Sequence, residues 1–312
     1  MGRRTWLLFA LMAVLWGVPY LFIKIAVAEV SPVIVVFVRT ALAALVLSPV
    51  AVRRGAMAGL RARLGWVVVL AVVEVAGPFL LISFGEQRIP SSLSGLLIAA
   101  EPLFVAVLAL RFDASERVRG LRLAGLLVGL AGVVCLLGLD VGLDPAVLVG
   151  AIMVLVATLG YAGGALIVKH RFAGVPPLGV ATAMLLVTSV ALLPAAVLTA
   201  PGRLPSGAVI GSLAVLGVAC TAVAYLGYFA LIARAGAGRA AVVTYLNPAI
   251  AVGLGVAVLG EPFTGATLAG FLLVIAGSWL STGGRLPPRL GRGGARARRG
   301  PQPLQPGGRG PE

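Results

Sequence analysis

The stretch LAGLLVGLAG at residues 123–132 returns 145 residues later as LAGFLLVIAG at 268–277. The recurrence extends outward from it. LWGVPYLFIK (15–24) ends at Lys24 and LGYAGGALIVK (159–169) ends at Lys169. These are the only two lysines beside twenty-three arginines, and each lies eight residues after a large aromatic, Trp16 or Tyr161. SPVIVVFV (31–38) lies over PPLGVATA (176–183), Glu101-Pro102 over Asn247-Pro248, and Glu116 over Glu261. The chain reads as two copies of one unit.

The unit is built for lipid. Hydrophobic residues make up 60% of the chain, charged residues 11%, and the mean hydropathy is +1.08. A soluble domain is closer to ~45–50% apolar and ~25% charged. The net charge of +15 does not indicate nucleic acid, because the basic residues fall in short gaps between apolar runs and in a C-terminal tail. Cys135 and Cys220 sit inside apolar runs and read as small buried residues, not as a disulfide or metal site. His170, between Lys169 and Arg171, reads as interfacial.

A membrane-crossing helix needs roughly 20 mostly apolar residues. Ten candidates stand at 6–27, 33–52, 64–84, 92–110, 121–139, 146–168, 177–199, 207–232, 240–259 and 264–282, separated by Pro, Gly and charge. They are expected to be helices, since lipid cannot satisfy an open backbone. With a cytoplasmic N-terminus, every Lys and Arg except Lys24, Arg88, Arg203 and the intramembrane Arg39 falls on the cytoplasmic side. That is the positive-inside bias, and it places both termini in the cytoplasm of a multi-pass inner or plasma membrane protein. The N-terminal apolar run exceeds a signal peptide's usual ~7–15 residues and reads as an uncleaved first span. Residues 283–312, rich in Gly, Pro and Arg, are expected to be a disordered tail.

Five spans per copy is an odd number, so the second copy enters the bilayer in the opposite sense. The expected fold is all-α, ten transmembrane helices as two inverted five-helix repeats at 1–140 and 141–282. Inverted repeats are the architecture of secondary transporters, with substrate handled near the midplane.

The chain resembles the drug/metabolite transporter superfamily, EamA type, with two tandem EamA-like repeats. The residues that carry the resemblance are LWG…FIK in span one, VFVRTALAAL in span two and IPSSLSGLLIAAEPLFVAVLAL across span four. SERVRGLRLAGLLVGLAGV into span five and YLNPAIAVGLGVAVLGEPFTGATLAGFLLVIAG near the end complete them. The match runs over 6–282, and its specificity lies in the order and spacing of these stretches. It implies a ten-span carrier with a central cavity, often an exporter of amino acids, other metabolites or drugs, and it leaves the substrate open. Two positions depart from the pattern. Glu101 precedes the span-four proline where apolar or small residues are commoner, and Glu74 has no role in it.

Arg39, Glu74 and Glu101 are the ionisable residues read as lying deep in the membrane, with Lys24 at the margin. A charge at that depth costs ~2.5–3.5 kcal/mol even on the lenient insertion scale, so such residues face the bundle interior, pair, or line a wet path. The second copy carries Met184 for Arg39, Cys220 for Glu74 and Asn247 for Glu101; this one-sidedness favours function over scaffold. Pro102 and Pro248 each remove a helix hydrogen bond and are expected to open spans four and nine. Glu101 and Asn247 are the first candidates for binding substrate or proton. Arg39 suits a carboxylate, or else a salt bridge to Glu74 or Glu101.

Trp16, Tyr20 and Lys24 follow i, i+4, i+8, as Thr221, Tyr225 and Tyr228 follow a shared face of span eight; with Tyr161 they are candidates for lining the path. Gly125-xxx-Gly129 and Gly160-xxx-Gly164 permit close helix approach, although chance matches are expected among 42 glycines. No Walker loop, metal-ligand cluster or nucleophile with a base stands out, so no enzyme activity and no cofactor are expected. The expected partners are a small-molecule substrate and the lipid bilayer, with no nucleic acid; a homodimer is left open. A lipid-head-group flippase of similar fold and a non-transporting accessory or sensor protein are the alternative readings.

Overall fold

The computed structural model describes residues 3–112, 120–136, 144–236 and 240–281. The tail and Glu116 lie outside them. Among the described residues, eight helices are long and apolar enough to cross a membrane: Arg4–Ala26 (span one), Pro32–Arg53 (two), Arg61–Glu86 (three), Ser91–Leu108 (four), Pro145–Arg171 (six), Pro177–Leu198 (seven), Gly207–Ala235 (eight) and Val242–Leu259 (nine). Two shorter apolar helices, Leu123–Cys135 (five) and Gly265–Ser281 (ten), complete the expected set. The described residues form no strand, and Cys135 and Cys220 are free thiols. The chain is an all-α, multi-pass membrane protein.

Helix starts follow local chemistry. Ser31, Asp144 and Ser206 each accept a backbone N–H from the first turn of spans two, six and eight, and prolines open spans two, six and seven. Gly260, at φ +65°, closes span nine in the left-handed conformation that a Cβ disfavours.

Five spans are interrupted. Span four breaks at Ala99–Ala100, just before Glu101-Pro102, and span nine breaks at Leu246, just before Asn247-Pro248. Both breaks stand where the prolines were expected to make them. Span three is π-helical over Ala71–Ala76, and span eight over Val215–Val223 at the repeat-related place. In span three Pro78 lacks the N–H that residue 74's carbonyl needs, and the wider turn relieves the clash; Gly77 donates instead to Val72, five residues back. In span eight the Thr221 hydroxyl reaches back the same five residues and donates to the Leu216 carbonyl at 2.7 Å. Span one breaks at Val18 before Pro19, whereas span six is continuous from Pro145 to Arg171.

Packing respects the exchange of repeats. Span two packs on seven and four on nine; span one packs on eight and nine as six packs on three and four; span two packs on eight as seven packs on three. The crossing of spans five and ten shows the sense of the relation. Gly277 sits against Gly125 and Gly129, and Gly270 against Gly132, so close that a Cβ would strike backbone. By sequence Gly125 corresponds to Gly270 and Gly132 to Gly277, so the two contacts interchange, as at an isologous interface. Only antiparallel helices related by a two-fold across their axes do this, and parallel copies would set Gly125 against Gly270. The repeats are inverted.

One departure from the exchange matters below. The second half of span one also packs on spans three and four. Span six makes no comparable contact with eight and nine among the described residues. The second half of span one therefore closes on its neighbours at the Lys24 end, where span six does not at the other.

Candidate functional site

The interruptions bring most of the predicted residues within reach of one another, Lys24 excepted. Arg39 of span two is 7% exposed and donates from Nε to Thr221 Oγ of the π-helical segment of span eight at 2.9 Å. Its guanidinium lies 3.8 Å from the centre of the Phe79 ring of span three. The alternative of a salt bridge to Glu74 or Glu101 is not formed: no ion pair or hydrogen bond joins them among the described residues. The wide turn of span eight presents the Thr221 hydroxyl first, while Glu74 turns the other way. Glu74 packs against Gly164 of span six, where any side chain would collide with its carboxylate, and its Oε2 is buried without a hydrogen-bond partner.

Glu101 stands half-buried at the head of the second segment of span four and makes no hydrogen bond among the described residues. It is within electrostatic range of Glu74, Tyr20 and Tyr228. Tyr20 in turn is within range of Arg39, and Tyr161 and Tyr225 of both Arg39 and Glu74. Arg39, Glu74 and Glu101 are thus joined through tyrosines from spans one, six and eight. Asn247 borders this layer. Its backbone lies against Gly17, next to Trp16, and its Oδ1 is buried without a partner.

The aromatic face expected of span one is divided. The break at Val18 sends Trp16 onto Tyr228, ring centres 4.6 Å apart, while Tyr20 packs beside Gly95 of span four. Tyr225 stacks on Phe229. Lys24 points away from the layer. Its Nζ donates to the carbonyls of Glu86 and Ile89, the latter at 2.8 Å, and so caps the free end of span three. Lys169, its repeat partner, is exposed at the end of span six, with His170 and Arg171; the Arg171 guanidinium lies 4.3 Å from the Trp66 ring centre.

Two residues were missed in the sequence. Glu86 falls between the candidate spans 64–84 and 92–110, yet it is fully buried. Its spacing from Phe79 and Ser83, both buried, puts it on the inward face by helical periodicity and is the signal that would have found it. Glu261 was noted only as a repeat match. It accepts from Ser91 N (2.7 Å), Ser91 Oγ (2.9 Å) and Ser92 N (2.8 Å), capping span four from the loop after span nine. Burial pushes its carboxyl up, but the bonds from Ser92 and Ser91 together outweigh this and leave it below the ordinary carboxylate range.

The comparisons agree with this architecture. The EamA-like transporter family profile matches residues 4–138 and 148–283. A probable amino-acid metabolite efflux pump of Salmonella typhimurium is 27% identical over 297 residues, 91% of this chain and 96% of its own. An uncharacterized transporter of Archaeoglobus fulgidus is 26% identical over 287 residues, 89% and 98% of the two chains. The uncharacterized inner membrane transporter YedA of Escherichia coli is 28% identical over 260 residues, 81% and 82% of the two. A solved crystal structure superposes with a TM-score of 0.63 at 21% identity, covering 90% of this chain and 98% of that one, which shows the fold alone. With both repeats matched in order, this chain belongs to the EamA-like transporter family.

Proposed function

We propose that this transporter exports small amino-acid-like metabolites by alternating access, coupled to protons. The observation that supports it is the acceptor-rich, interrupted layer. Glu74 Oε2 and Asn247 Oδ1 are buried without donors, and the Glu101 carboxylate has no partner among the described residues. Such a place favours a ligand that brings donors, an ammonium above all. Arg39 spends Nε on Thr221, and its terminal nitrogens make no hydrogen bond among the described residues. They suit a carboxylate. An α-amino acid carries both groups, and Tyr20 lies in range of Arg39 and Glu101 alike. The name of the Salmonella relative points the same way. In this reading the termini are cytoplasmic and the Lys24 end faces outward.

The test compares metabolites in cells and medium with the protein absent, present at normal level and overproduced, and then with Glu101→Gln. Amino-acid-like compounds are expected to accumulate in the medium with the wild type. The Gln variant, which keeps shape and loses charge, is expected to reach normal expression with export lost. Unchanged export would remove Glu101 from the site; export of a lipid head group instead would favour a flippase.

A further inference from the structure

The Lys24 end of the bundle holds a carboxylate that the substrate layer does not use. Glu86 closes span three, is wholly buried, and neither of its carboxylate oxygens has a hydrogen-bond partner. Its neighbours explain why. Lys24 of span one lies beside it, but two of that ammonium's three donors go to the carbonyls of Glu86 itself and of Ile89. Ser94 of span four faces it with a hydroxyl near enough to act on the carboxyl, although neither group makes a full hydrogen bond in this conformation. Glu261 approaches from the loop after span nine, with its oxygens taken by the amides and hydroxyl of Ser91 and Ser92. Arg39 of span two and Tyr20 of span one are within electrostatic range, and span six offers no titratable residue before Tyr161.

The turn between spans three and four is therefore held by a charge at each end. Lys24 sits on the last carbonyl of one helix and on the Ile89 carbonyl of the turn, and Glu261 on the first amides of the next helix, each with the sign that complements the helix terminus. Between them sits a buried carboxyl that makes no full hydrogen bond to the Ser94 hydroxyl or the Lys24 ammonium beside it, an arrangement that charge makes costly and a proton makes tolerable.

We infer that Glu86 is a proton-binding site that governs this closure. With the proton bound, Glu86 is neutral and Lys24 stays on the backbone of span three. With the proton gone, the carboxylate draws the Lys24 ammonium to itself and the pair ties span one to span three more firmly, so proton uptake is the step that loosens this end. The site assigns the coupling proton to Glu86 and leaves Glu101 to the substrate; its role in export rests on the transport reading above.

Infrared difference spectroscopy on the full-length protein in lipid tests this with the proton as the only ligand. The wild type is expected to show a carboxylic-acid C=O band that is lost in Glu86→Gln and kept in Glu74→Gln and Glu101→Gln. The band is expected to fade as pH rises, with its midpoint moved to higher pH in Lys24→Met, because removing a neighbouring cation favours the neutral acid. If Glu86→Gln does not fold, Glu86→Asp keeps the acid and is expected to displace the band. A wild type without the band, a band indifferent to residue 86, or one unchanged at every pH overturns the assignment. Export measured on the same membranes judges the carrier reading separately. A titrating Glu86 in a protein that exports nothing keeps the proton site and sinks the transport role.

Discussion

Arg39 and Thr221 form a polar pair whose repeat counterparts are Met184 and Val75, both in one apolar cluster. The molecule thus contains a polar and an apolar solution to the same contact. Arg39→Met and Thr221→Val are each expected to cost about 1–3 kcal/mol, the first by losing a charge-assisted bond and the second by stripping a partner from a buried guanidinium. The double variant copies the other repeat and is expected to cost less than the sum by about 0.5–3 kcal/mol. Unfolding in detergent measures this cycle, and strict additivity would show that the pair is not coupled. The burial of Arg39 was legible, because an arginine inside an apolar run has nowhere else to go. Its partner was not: the hydroxyl lies 182 residues away and is aimed by a turn whose width the sequence does not state. Glu86 was hidden for a simpler reason, since a carboxylate beside Gln87, Arg88 and Pro90 looks like the edge of a loop.

Among the elements, the ten spans and the breaks at Glu101-Pro102 and Asn247-Pro248 could be read directly, because hydropathy sets helix length and proline removes a donor. The π-helical segments could not. They change the hydrogen-bond register without changing composition, and only Pro78 hints at one of them. The glycine seam of spans five and ten lies between these cases: present as a motif, but with a partner supplied only by the fold. Gly277→Ala puts a methyl against the backbone of Gly129, whereas Gly253, exposed on span nine, has open space around its missing side chain. The first change is expected to destabilise by about 1–3 kcal/mol through overpacking. The second is expected to stabilise by up to about 1 kcal/mol through helix propensity. Melting temperatures that move the same way in both variants would contradict the seam.

For the molecule as a whole, the Lys24 end carries its own pH dependence. The carboxyl of Glu261 titrates below its unfolded value, so the stabilisation it contributes is complete above the ordinary carboxylate range. It is lost as pH falls through the folded value. Thermal unfolding of the wild type and of Glu261→Gln, followed from neutrality to about pH 3, is expected to show two curves that converge at the acid end. Parallel curves would mean that the charge of Glu261 adds nothing to the three bonds to Ser91 and Ser92.

The unequal first spans of the two repeats have a larger consequence. Span one is bent at Val18 and clamped by Lys24, while span six runs straight with Gly164 in the place of Pro19. In the alternating-access reading proposed above, two inverted copies in different shapes contain the template of the opposite state: each copy displays the shape the other would adopt when the roles reverse. Trading those shapes releases Lys24 from the end of span three, straightens span one, and swings span six about Gly163–Gly164 onto spans eight and nine. The glycines that let Glu74 lie against span six would then be the joint on which that motion turns, and one fold would hold the coordinates of both ends of its working cycle.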